Sequence, residues 1–556
     1  MIEQTSDRKP LAQRLLSCLK HHGAKAIFGI PGDYALPLFR ELEASNGIPL
    51  VTLSHEPSLG FAADAAARFT GGIGVAMATY GAGALNLLNA VAGAYAERSP
   101  LVVISAAPAL SERGSNFGLH HQSRALDSQL RIFSEVTCAQ GVIDDPRTAP
   151  HLIAHTISEC VRRSLPVYIE IPADIAAQSI GPLPVVKARK PDPDAVAACA
   201  AEIAERVRQA RNPVLMIGIE VRRYGLESQV SRLAHRVNMP VVSSLLGRGV
   251  AAAGPAPIAG TYLGLAGDPE ISRRVEDSDA LILLGVVLSD TDFGVPAKRL
   301  DLRRAIHASE GQVRIGHHIY PDIPLADLIE ELTKHAVGDS RIRDSIVISA
   351  QHPPLSHSQD ASALQPSDVS TAINHFFTAH GKRPLVTDIG DCLFISLEVE
   401  CQDLIAQSYY ASMGFGVPAA LGIQAASGAR PLVLVGDGAF QMTGWELGNC
   451  QRYGWDPIVL VLNNQSWEML RTFEPTARFN DLSDWHFADI AAPLGGVGTR
   501  VHTQSELKEA LEAANKTRGR FQIIEIMLTR GKVSNALQRF VQATNQRRQR
   551  NSTSLG

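Results

Sequence analysis

The chain has 556 residues, of which 45% are hydrophobic and 19% are charged, and its formal net charge at pH 7 is −4. This length exceeds one ordinary hydrophobic core and predicts about three domains, while the composition is typical of a globular protein. The charge balance gives no reason to expect nucleic acid as a partner, and no uncharged apolar run reaches the roughly 18 residues that a membrane span needs.

Seven cysteines are scattered singly along the chain, and none forms a CxxC pair. An odd number of isolated cysteines in a long chain is typical of reduced thiols in an intracellular protein. The N-terminal segment carries Asp7, Arg8 and Lys9 and lacks the apolar region of a secretory signal. These observations predict a cytoplasmic protein.

In the first third of the chain, short apolar β-branched runs alternate with glycine-containing turns and helical segments. The predicted strands are Ala26–Gly29, Leu50–Leu53, Gly74–Thr79, Leu101–Ser105 and Val167–Ile171, and the predicted helices include Ala35–Ala44 and Ser58–Phe69. This alternation predicts a parallel sheet with helices on both of its faces.

Three polar motifs lie at the turns of this region. Asp33 stands in Gly-Asp-Tyr just before a predicted helix, and Glu56 stands in His-Glu-Pro after a predicted strand. His120 and His121 are adjacent in a predicted loop. Local chemistry alone explains Asp33 as a helix N-cap, Glu56 as an acid favoured by the helix dipole, and the histidines as loop residues.

Two proline-containing stretches, Gly181–Asp194 and Ser349–Ser367, interrupt the alternation and predict interdomain linkers. They divide the chain into domains of about 1–180, 195–345 and 366–545. Strands of the middle domain are predicted at Val214–Ile219, Val241–Ser244 and Ala280–Leu284. This domain therefore reads as a doubly wound sheet, and it lacks the glycine fingerprint of a dinucleotide site, so we expect no flavin there.

In the last domain, two buried strands are predicted at Leu432–Val435 and Ile458–Leu462, with a helix at Phe440–Tyr453 between them. A tight Gly-Asp-Gly turn follows the first strand, and an Asn-Asn pair ends the second. A right-handed crossover brings both strand ends to the same edge of a parallel sheet, where such sheets bind ligands.

This edge is a candidate metal site. A carboxylate from Asp437, an amide oxygen from Asn464 and the backbone carbonyl of Ser466 suit an octahedral Mg²⁺ that keeps phosphate oxygens as its other ligands. Gly436 and Gly438 let the backbone approach a diphosphate closely. Taken singly, a Gly-Asp-Gly turn and an Asn-Asn strand end are common structural features, and only their joint spacing indicates a site.

That joint spacing resembles the signature of thiamine-diphosphate enzymes. The combination of Gly-Asp-Tyr, His-Glu-Pro and His-His is similar to the pyruvate and indolepyruvate decarboxylase family, and acetolactate synthases share the cofactor site without it. The resemblance covers essentially the whole chain and is strongest to the bacterial indolepyruvate and phenylpyruvate decarboxylases. Its main stretches are "FGIPGDYALPLF", "TYGAGALNLLNAVAGAYAE", "LHHQ" and "NNQSWEMLRTF". It implies three doubly wound α/β domains, in order pyrimidine-binding, middle and diphosphate-binding.

The resemblance also implies roles for individual residues. Glu56 would share a proton with N1′ of the pyrimidine, and Asp33, His120 and His121 would handle protons during aldehyde release. Met413, which local chemistry explains equally as a core residue, would support the bent cofactor. The implied cofactor contacts are Glu56, Gly390, Asp391, Ala411, Met413, Gly436, Asp437, Gly438, Ala439 and Asn464. The implied cofactors are thiamine diphosphate and Mg²⁺.

The implied reaction is the non-oxidative decarboxylation of a bulky 2-oxo acid, phenylpyruvate or indolepyruvate, to the aldehyde and CO₂. The implied substrate pocket consists of Leu393, Met469, Leu470, Ala536 and Phe540. Ala536 stands where some relatives carry a larger residue, which leaves room for an aromatic ring. The implied assembly is a homodimer or homotetramer with active sites between subunits.

One position departs from the family. Simple pyruvate decarboxylases carry a glutamate where this chain has Leu470, so the carboxylate is lost or is supplied by another residue. Asp290, after a predicted middle-domain strand, is one candidate, although it is explained equally as a turn cap. Glu468 is the other, and we expect it to be a surface or structural acid.

Two other enzyme classes stay open at this point. A carboligating relative such as an acetolactate synthase would share the cofactor site. A nicotinamide oxidoreductase would need a dinucleotide fingerprint, but the best candidate, Gly81-Ala82-Gly83-Ala84-Leu85-Asn86, has asparagine in place of the third glycine.

Overall fold

The computed structural model describes residues 7–45, 47–115, 117–187, 189–237, 239–250, 258–293, 296, 300–335 and 363–553, with side chains to residue 547. Most of the second predicted linker and the end of the predicted middle domain lie outside these residues. Three separate α/β units are present, each built on its own large sheet. The α/β prediction is confirmed, whereas the predicted domain boundaries stay a prediction.

The first α/β unit contains a six-stranded parallel sheet in the order β3-β2-β4-β5-β7-β6, and β1 pairs with β8 separately. Its strands are β1 (Lys9–Pro10), β2 (Ile27–Gly29), β3 (Leu50–Val51), β4 (Gly74–Ala78), β5 (Leu101–Ala107), β6 (Gln140–Val142), β7 (Val167–Pro172) and β8 (Ser179–Ile180). Its helices are α1 (Leu11–His21), α2 (Leu36–Ala44), α3 (Glu56–Thr70), α4 (Ala82–Asn86), α5 (Leu88–Ala96), α6 (Ser128–Ser134) and α7 (Ala149–Arg163), with a 3-10 turn at Asp33–Ala35.

Alternate residues of its strands enter two different cores. Val75 and Met77 of β4 pack into one core, whereas Ala76 and Ala78 pack into the other. Successive side chains of a strand point to opposite faces, so a strand that is apolar throughout must have both faces covered. The continuous apolar runs in the sequence have this structural cause.

The middle α/β unit has a seven-stranded sheet in the order β11-β10-β9-β12-β13-β14-β15. Its strands are β9 (Pro213–Ile217), β10 (Val241–Ser243), β11 (Ile258–Thr261), β12 (Ala280–Leu284), β13 (Ile306–Ser309), β14 (Gln312–Ile315) and β15 (His318–Tyr320). Its helices are α8 (Pro193–Gln209), α9 (Glu220–Arg223), α10 (Glu227–Arg236), α11 (Pro269–Glu276), α12 (Asp290–Phe293) and α13 (Leu325–Lys334), with a 3-10 turn at Gly264–Ala266.

This sheet departs from the expected parallel arrangement at one edge, where β13, β14 and β15 are antiparallel. Only Glu310 and Gly311 connect β13 to β14, and both have positive φ angles, 55° and 73°. Two such residues form a tight hairpin turn, and a parallel crossover needs a much longer connection. The short connection therefore dictates the antiparallel edge.

The last α/β unit has a six-stranded, fully parallel sheet in the order β17-β16-β18-β19-β21-β20. Its strands are β16 (Leu385–Thr387), β17 (Leu404–Ala406), β18 (Leu432–Gly436), β19 (Ile458–Asn463), β20 (Val497–Val501) and β21 (Gln522–Met527). Its helices are α14 (Pro366–His380), α15 (Asp391–Ser396), α16 (Gly416–Ser427), α17 (Asp437–Thr443), α18 (Cys450–Tyr453), α19 (Glu468–Arg471), α20 (Phe487–Ile490), α21 (Gln504–Lys516) and α22 (Asn535–Thr553), with 3-10 turns at Gly444–Asn449 and Arg478–Asn480.

The connection between β18 and β19 is less regular than the single helix expected for Phe440–Tyr453. It consists of α17, the 3-10 turn Gly444–Asn449 and α18. A Cβ atom at Gly444 would lie 2.4 Å from the Phe440 ring, so the packing of that ring requires glycine. Glycine is a poor helix former, which is consistent with a break in the helix at this position.

The first and last units pack together through α3 and α16. A Cβ atom at Gly422 would lie 2.1 Å from the carbonyl oxygen of Ala62, so the two helices are in backbone contact. The rings of Phe61 and Phe415 meet edge to face at 5.7 Å in the same interface. Within the described ranges, no helix is long and apolar enough to cross a membrane.

Candidate active site

The carboxyl edge of the last sheet brings two predicted ligands together. Asp437 begins α17 directly after β18, and Asn464 directly follows β19. The two strands are hydrogen-bonded neighbours with Gly436 opposite Leu462. The backbone N–H groups of Asn464 and Ser466 both donate to Oδ2 of Asp437 at 3.2 Å. The parallel crossover therefore produces the expected cluster.

This cluster has unmet coordination capacity. Asp437 is 3% exposed, and burial raises the pKa of its carboxyl to about 6, while backbone N–H groups such as that of Gly438 act in the opposite direction. In the described part of the chain, Oδ1 of Asn464 is buried and accepts no hydrogen bond. A buried carboxylate beside an unpartnered amide oxygen fits a hard divalent cation. The carbonyl of Ser466 accepts one hydrogen bond, from Glu468 N at 2.7 Å, and keeps a second lone pair.

Two glycines leave open space beside this cluster. A Cβ atom at Gly436 or at Gly390 would meet nothing within 4 Å. Gly390 follows β16, the neighbour of β18 in the sheet, and has a φ of 95° that favours glycine. A diphosphate needs this kind of unobstructed backbone approach. Ala439 is buried within α17.

The carboxylate of Asp391 is engaged elsewhere. It accepts hydrogen bonds from the backbone N–H of Ser534 at 2.8 Å and from the Ser534 hydroxyl. Burial raises the pKa of this carboxyl to about 6, and the bonds from Ser534 oppose that shift. Asp391 thus joins the start of α15 to the start of α22.

The segment that contains Ala411 and Met413 is held by a residue that the sequence did not reveal. Asp388 is 1% exposed and accepts hydrogen bonds from the backbone N–H groups of Gly414 at 3.1 Å and Gly416 at 2.8 Å. Ala411 has a φ of 60°, a strained value for a residue with a side chain. Met413 is half-buried against the core. Asp388 directly follows β16 and lies in no distinctive motif, so only the fold identifies it.

A second undetected carboxylate reaches the same segment from the first unit. Glu97 is fully buried, and its Oε1 accepts the backbone N–H groups of Ser408 at 2.7 Å and Tyr410 at 3.3 Å. Its Oε2 accepts a hydrogen bond from Arg68 at 2.9 Å. The segment preceding Ala411 is therefore anchored to α5.

The first unit assembles its own cluster. Asp33 lies 3.7 Å from Nε2 of His120 and 4.0 Å from Nε2 of His121, and the two imidazole rings are 3.7 Å apart. His121 has a φ of 62°. Glu56 begins α3 and accepts a hydrogen bond from Asn86 at 3.1 Å. The three proton-handling candidates thus lie together.

Among the described residues, no hydrogen bond or ion pair joins Asp33 or Glu56 to Asp437 or Asn464. The residue that follows Leu53, Ser54, instead donates its backbone N–H to Glu446 at 2.9 Å, in the 3-10 turn beyond α17.

Four of the five predicted pocket residues share one apolar cluster. Leu393 and Ala536 are each 2% exposed at its centre, and Met469 and Phe540 pack against it. Leu245 and Leu263 of the middle unit complete it. Leu470 lies apart, with 52% of its surface exposed.

The two candidate replacement acids occupy different surroundings. Asp290 is exposed at the start of α12. It lies close enough to Tyr409 for its charge to raise the pKa of that hydroxyl, in addition to burial and the charge of Glu97. Asp292, two residues after Asp290, is 1% exposed and accepts the backbone N–H of Leu245 at 3.0 Å. Burial raises the pKa of Asp292 to about 7.

Glu468 is buried, with 6% of its surface exposed, and accepts the backbone N–H of Gly531 at 2.8 Å. Burial raises the pKa of its carboxyl, and the bond from Gly531 opposes that shift. Its position is internal and its contact is with the backbone.

Three thiamine pyrophosphate enzyme family models match the chain in succession. They are the N-terminal TPP binding domain over residues 9–131, the central domain over 200–335 and the C-terminal TPP binding domain over 388–526.

Curated proteins of full length are also similar. An indole-3-pyruvate decarboxylase of Azospirillum brasilense is 52% identical over 96% of this chain and 98% of its own length. An alpha-keto-acid decarboxylase of Mycolicibacterium paratuberculosis is 29% identical over 95% of this chain and 96% of its own. One of Mycobacterium tuberculosis (strain H37Rv) is 28% identical over the same shares. The chain belongs to the family of thiamine pyrophosphate-dependent 2-oxo acid decarboxylases, which are carboxy-lyases.

Proposed function

We propose that this enzyme decarboxylates an aromatic 2-oxo acid, phenylpyruvate or indolepyruvate, to the aldehyde and CO₂. The observation that carries the proposal is the apolar cluster that brings the small Ala536 side chain together with Leu393, Met469 and Phe540. By the resemblance, some relatives carry a larger residue at this place, so an alanine here would leave volume for a ring. The name of the Azospirillum relative points to the same substrate class. The role that follows is in aromatic amino acid catabolism.

Mg²⁺ would be held by the carboxylate of Asp437, the unpartnered Oδ1 of Asn464 and the carbonyl of Ser466. Thiamine diphosphate, when bound, supplies an electron sink for the decarboxylation. The open backbone at Gly436 and Gly390 would accommodate the diphosphate. The backbone carbonyl of Ala411, a residue with a strained φ of 60°, would receive the pyrimidine amino group.

The proton-handling groups come from the first unit. Glu56 would hold a proton at N1′ of the bound pyrimidine, and the hydrogen bond that it accepts from Asn86 would orient its carboxyl. Asp33, His120 and His121 exchange protons with the product before release, since imidazole and carboxyl groups transfer protons readily near neutral pH. The apolar pocket assists loss of CO₂ because it solvates the substrate carboxylate poorly.

The assembly is a homodimer, or a homotetramer of two dimers, with each active site between subunits. The resemblance supports this assembly, and among the described residues no direct bond joins Glu56 to Asp437 or Asn464. Trp445 and Trp485 support such a contact, because their rings lie 6.0 Å apart and are 49% and 41% exposed beside the half-exposed Met442. Exposed aromatic groups of this kind are typical of interfaces. The seven free thiols fit a reducing cytoplasm.

The test is aldehyde analysis over a panel of 2-oxo acids, with free aldehyde distinguished from acyloin. We expect a higher kcat/KM for phenylpyruvate or indolepyruvate than for pyruvate. Ala536→Met fills the pocket and should shift the preference toward smaller acids. A wild-type preference for pyruvate, or acyloin as the main product, would refute the proposal.

A further inference from the structure

Two buried acids hold the segment that leads into the C-terminal helix α22. This lead-in segment comprises residues 529–534. Glu468, from α19, accepts the backbone N–H of Gly531 at 2.8 Å. Asp391, from α15, accepts the backbone N–H of Ser534 at 2.8 Å and also its hydroxyl.

The contacts between these two acids and the lead-in segment pair buried carboxylates with backbone N–H donors. A buried carboxylate is costly unless donors satisfy it. The lead-in segment supplies donors to Asp391 and to Oε1 of Glu468, while Oε2 of Glu468 has no hydrogen-bond partner among the described residues. Gly531 has a φ of 84°, which favours glycine at this turn. Arg530 adds a hydrogen bond to the carbonyl of Gln465 at 2.7 Å. The segment is therefore fixed to the loop that follows β19.

The lead-in segment determines where α22 begins. Ala536 and Phe540 stand in the first two turns of that helix, and the Phe540 ring lies 5.3 Å from that of Phe394. Arg539 donates to the carbonyl of Ala266 in the middle unit at 2.9 and 3.2 Å. The start of α22 thus forms one wall of the apolar cluster.

Glu468 lies between the two parts of the site. Ser466, the proposed carbonyl ligand, precedes it by two residues, and Met469 of the apolar cluster follows it directly. Its carboxylate accepts the Gly531 N–H at 2.8 Å, and the Ser466 side chain lies close enough to lower the pKa of the same carboxyl against the rise that burial causes. One side chain can therefore transmit the position of the loop after β19 to the α22 wall.

We propose that Glu468 is a positioning residue that sets the α22 wall of the substrate pocket through Gly531, with Asp391 and Ser534 as the second attachment. This inference rests on the proposed function. A bulky aromatic acid reaches that wall, whereas pyruvate is too short to depend on it. Glu468 therefore acts on selection among 2-oxo acids and not on cofactor binding.

The test uses Glu468→Ala in the holoenzyme, with amide hydrogen exchange of the peptide covering residues 529–540 as the first measurement. Exchange should accelerate because the Gly531 N–H loses its acceptor. The KM for phenylpyruvate should rise about tenfold or more, the usual effect of disturbing an apolar pocket contact. The kcat/KM for pyruvate and the bound thiamine diphosphate content should stay close to wild type.

Three further variants keep the test decisive. Glu468→Gln keeps the side-chain volume and one acceptor oxygen, so it should give intermediate changes in amide exchange and in the KM for phenylpyruvate. This variant replaces Glu468→Ala in the test if Glu468→Ala does not fold. Ser534→Ala removes the hydroxyl bond to Asp391 and should act in the same direction. Glu474→Ala, an exposed acid six residues further on, is the matched control and should change nothing.

Unchanged exchange in both Glu468 variants would overturn the proposal, and so would a loss of cofactor together with all activity, since that places Glu468 in the metal site. Faster exchange with an unchanged KM for phenylpyruvate would overturn the link to selection. If the wild-type enzyme proves inactive on phenylpyruvate, the proposed substrate fails, and the exchange measurement still decides the attachment.

Discussion

At the scale of single residues, the proposed metal site depends on one carboxylate that serves two purposes. The backbone N–H groups of Asn464 and Ser466 donate to Asp437, and these bonds shape the loop after β19. The same loop leaves Oδ1 of Asn464 without a partner in the part of the chain that the structure describes. Burial that raises the pKa of Asp437 to about 6 opposes its ionised form, and a bound cation would reverse that effect.

We therefore expect Asp437→Ala and Asn464→Ala to lose bound thiamine diphosphate and activity together, because each removes a hard oxygen ligand. Cofactor content after desalting and the decarboxylation rate are the measurements. Asp489→Ala, an exposed acid on α20, is the control and should keep both. Full activity in either site variant at saturating cofactor and Mg²⁺ would contradict the metal assignment.

The replacement for the family glutamate at Leu470 is a second question at this scale. Asp290 is exposed near Tyr409, whereas Glu468 is buried and bonded to backbone. We expect Asp290→Asn to lower kcat about 100-fold, within the range for a general acid–base, at constant cofactor affinity. Glu468→Gln should lower kcat much less. The opposite order would assign the acid to Glu468.

At the scale of helices and strands, local patterns predicted the elements whose signals are local. The apolar runs of β18 and β19, with the Gly-Asp-Gly and Asn-Asn ends, predicted that Asp437 and Asn464 lie at one sheet edge, and they do. Their roles as ligands stay a prediction. Asp388 and Glu97 escaped prediction because their partners, Gly416 and Ser408, lie 28 and 311 residues away in sequence. Contacts of that separation depend on how units pack, which no local pattern contains.

The contact between α3 and α16 yields a stability prediction. A Cβ atom at Gly422 would lie 2.1 Å from backbone oxygen of Ala62, and backbone cannot move aside as a flexible side chain can. Alanine gains about 0.5–1 kcal/mol over glycine within a helix, but overpacking costs about 1–3 kcal/mol. Gly422→Ala should therefore lower the urea unfolding midpoint.

The control for this prediction is Gly114→Ala. A Cβ atom there would meet nothing within 4 Å, and the residue is not among those with positive φ. Its free energy of unfolding should stay within about 0.5 kcal/mol of the wild-type value, which is the range usual for surface substitutions. The urea unfolding midpoint should therefore change little. Equal midpoints for the two variants would show that α3 and α16 separate without cost.

At the scale of the whole molecule, the first unit carries the proposed proton-handling residues and the last unit carries the proposed metal ligands. α3 approaches the last unit through α16 and the 3-10 turn after α17, where Ser54 bonds to Glu446. Asp437 and Asn464 lie at the carboxyl edge of the last sheet, with no bond to Glu56 in the described residues. In the proposed two-fold dimer, each chain would offer its first unit to the partner's last unit.

The proposed dimer predicts a result that a site within one chain cannot give. Glu56→Gln and Asp437→Ala chains should each be nearly inactive alone. In a mixed dimer of the two, one site receives the intact Glu56 of one chain and the intact Asp437 of the other, while the second site carries both defects. Random pairing after co-expression makes about half the dimers mixed, so about a quarter of wild-type activity should return. Two differently tagged chains, purified through both tags, should show about half. If the site lies within one chain, every site in the mixture carries one defect, and no activity returns.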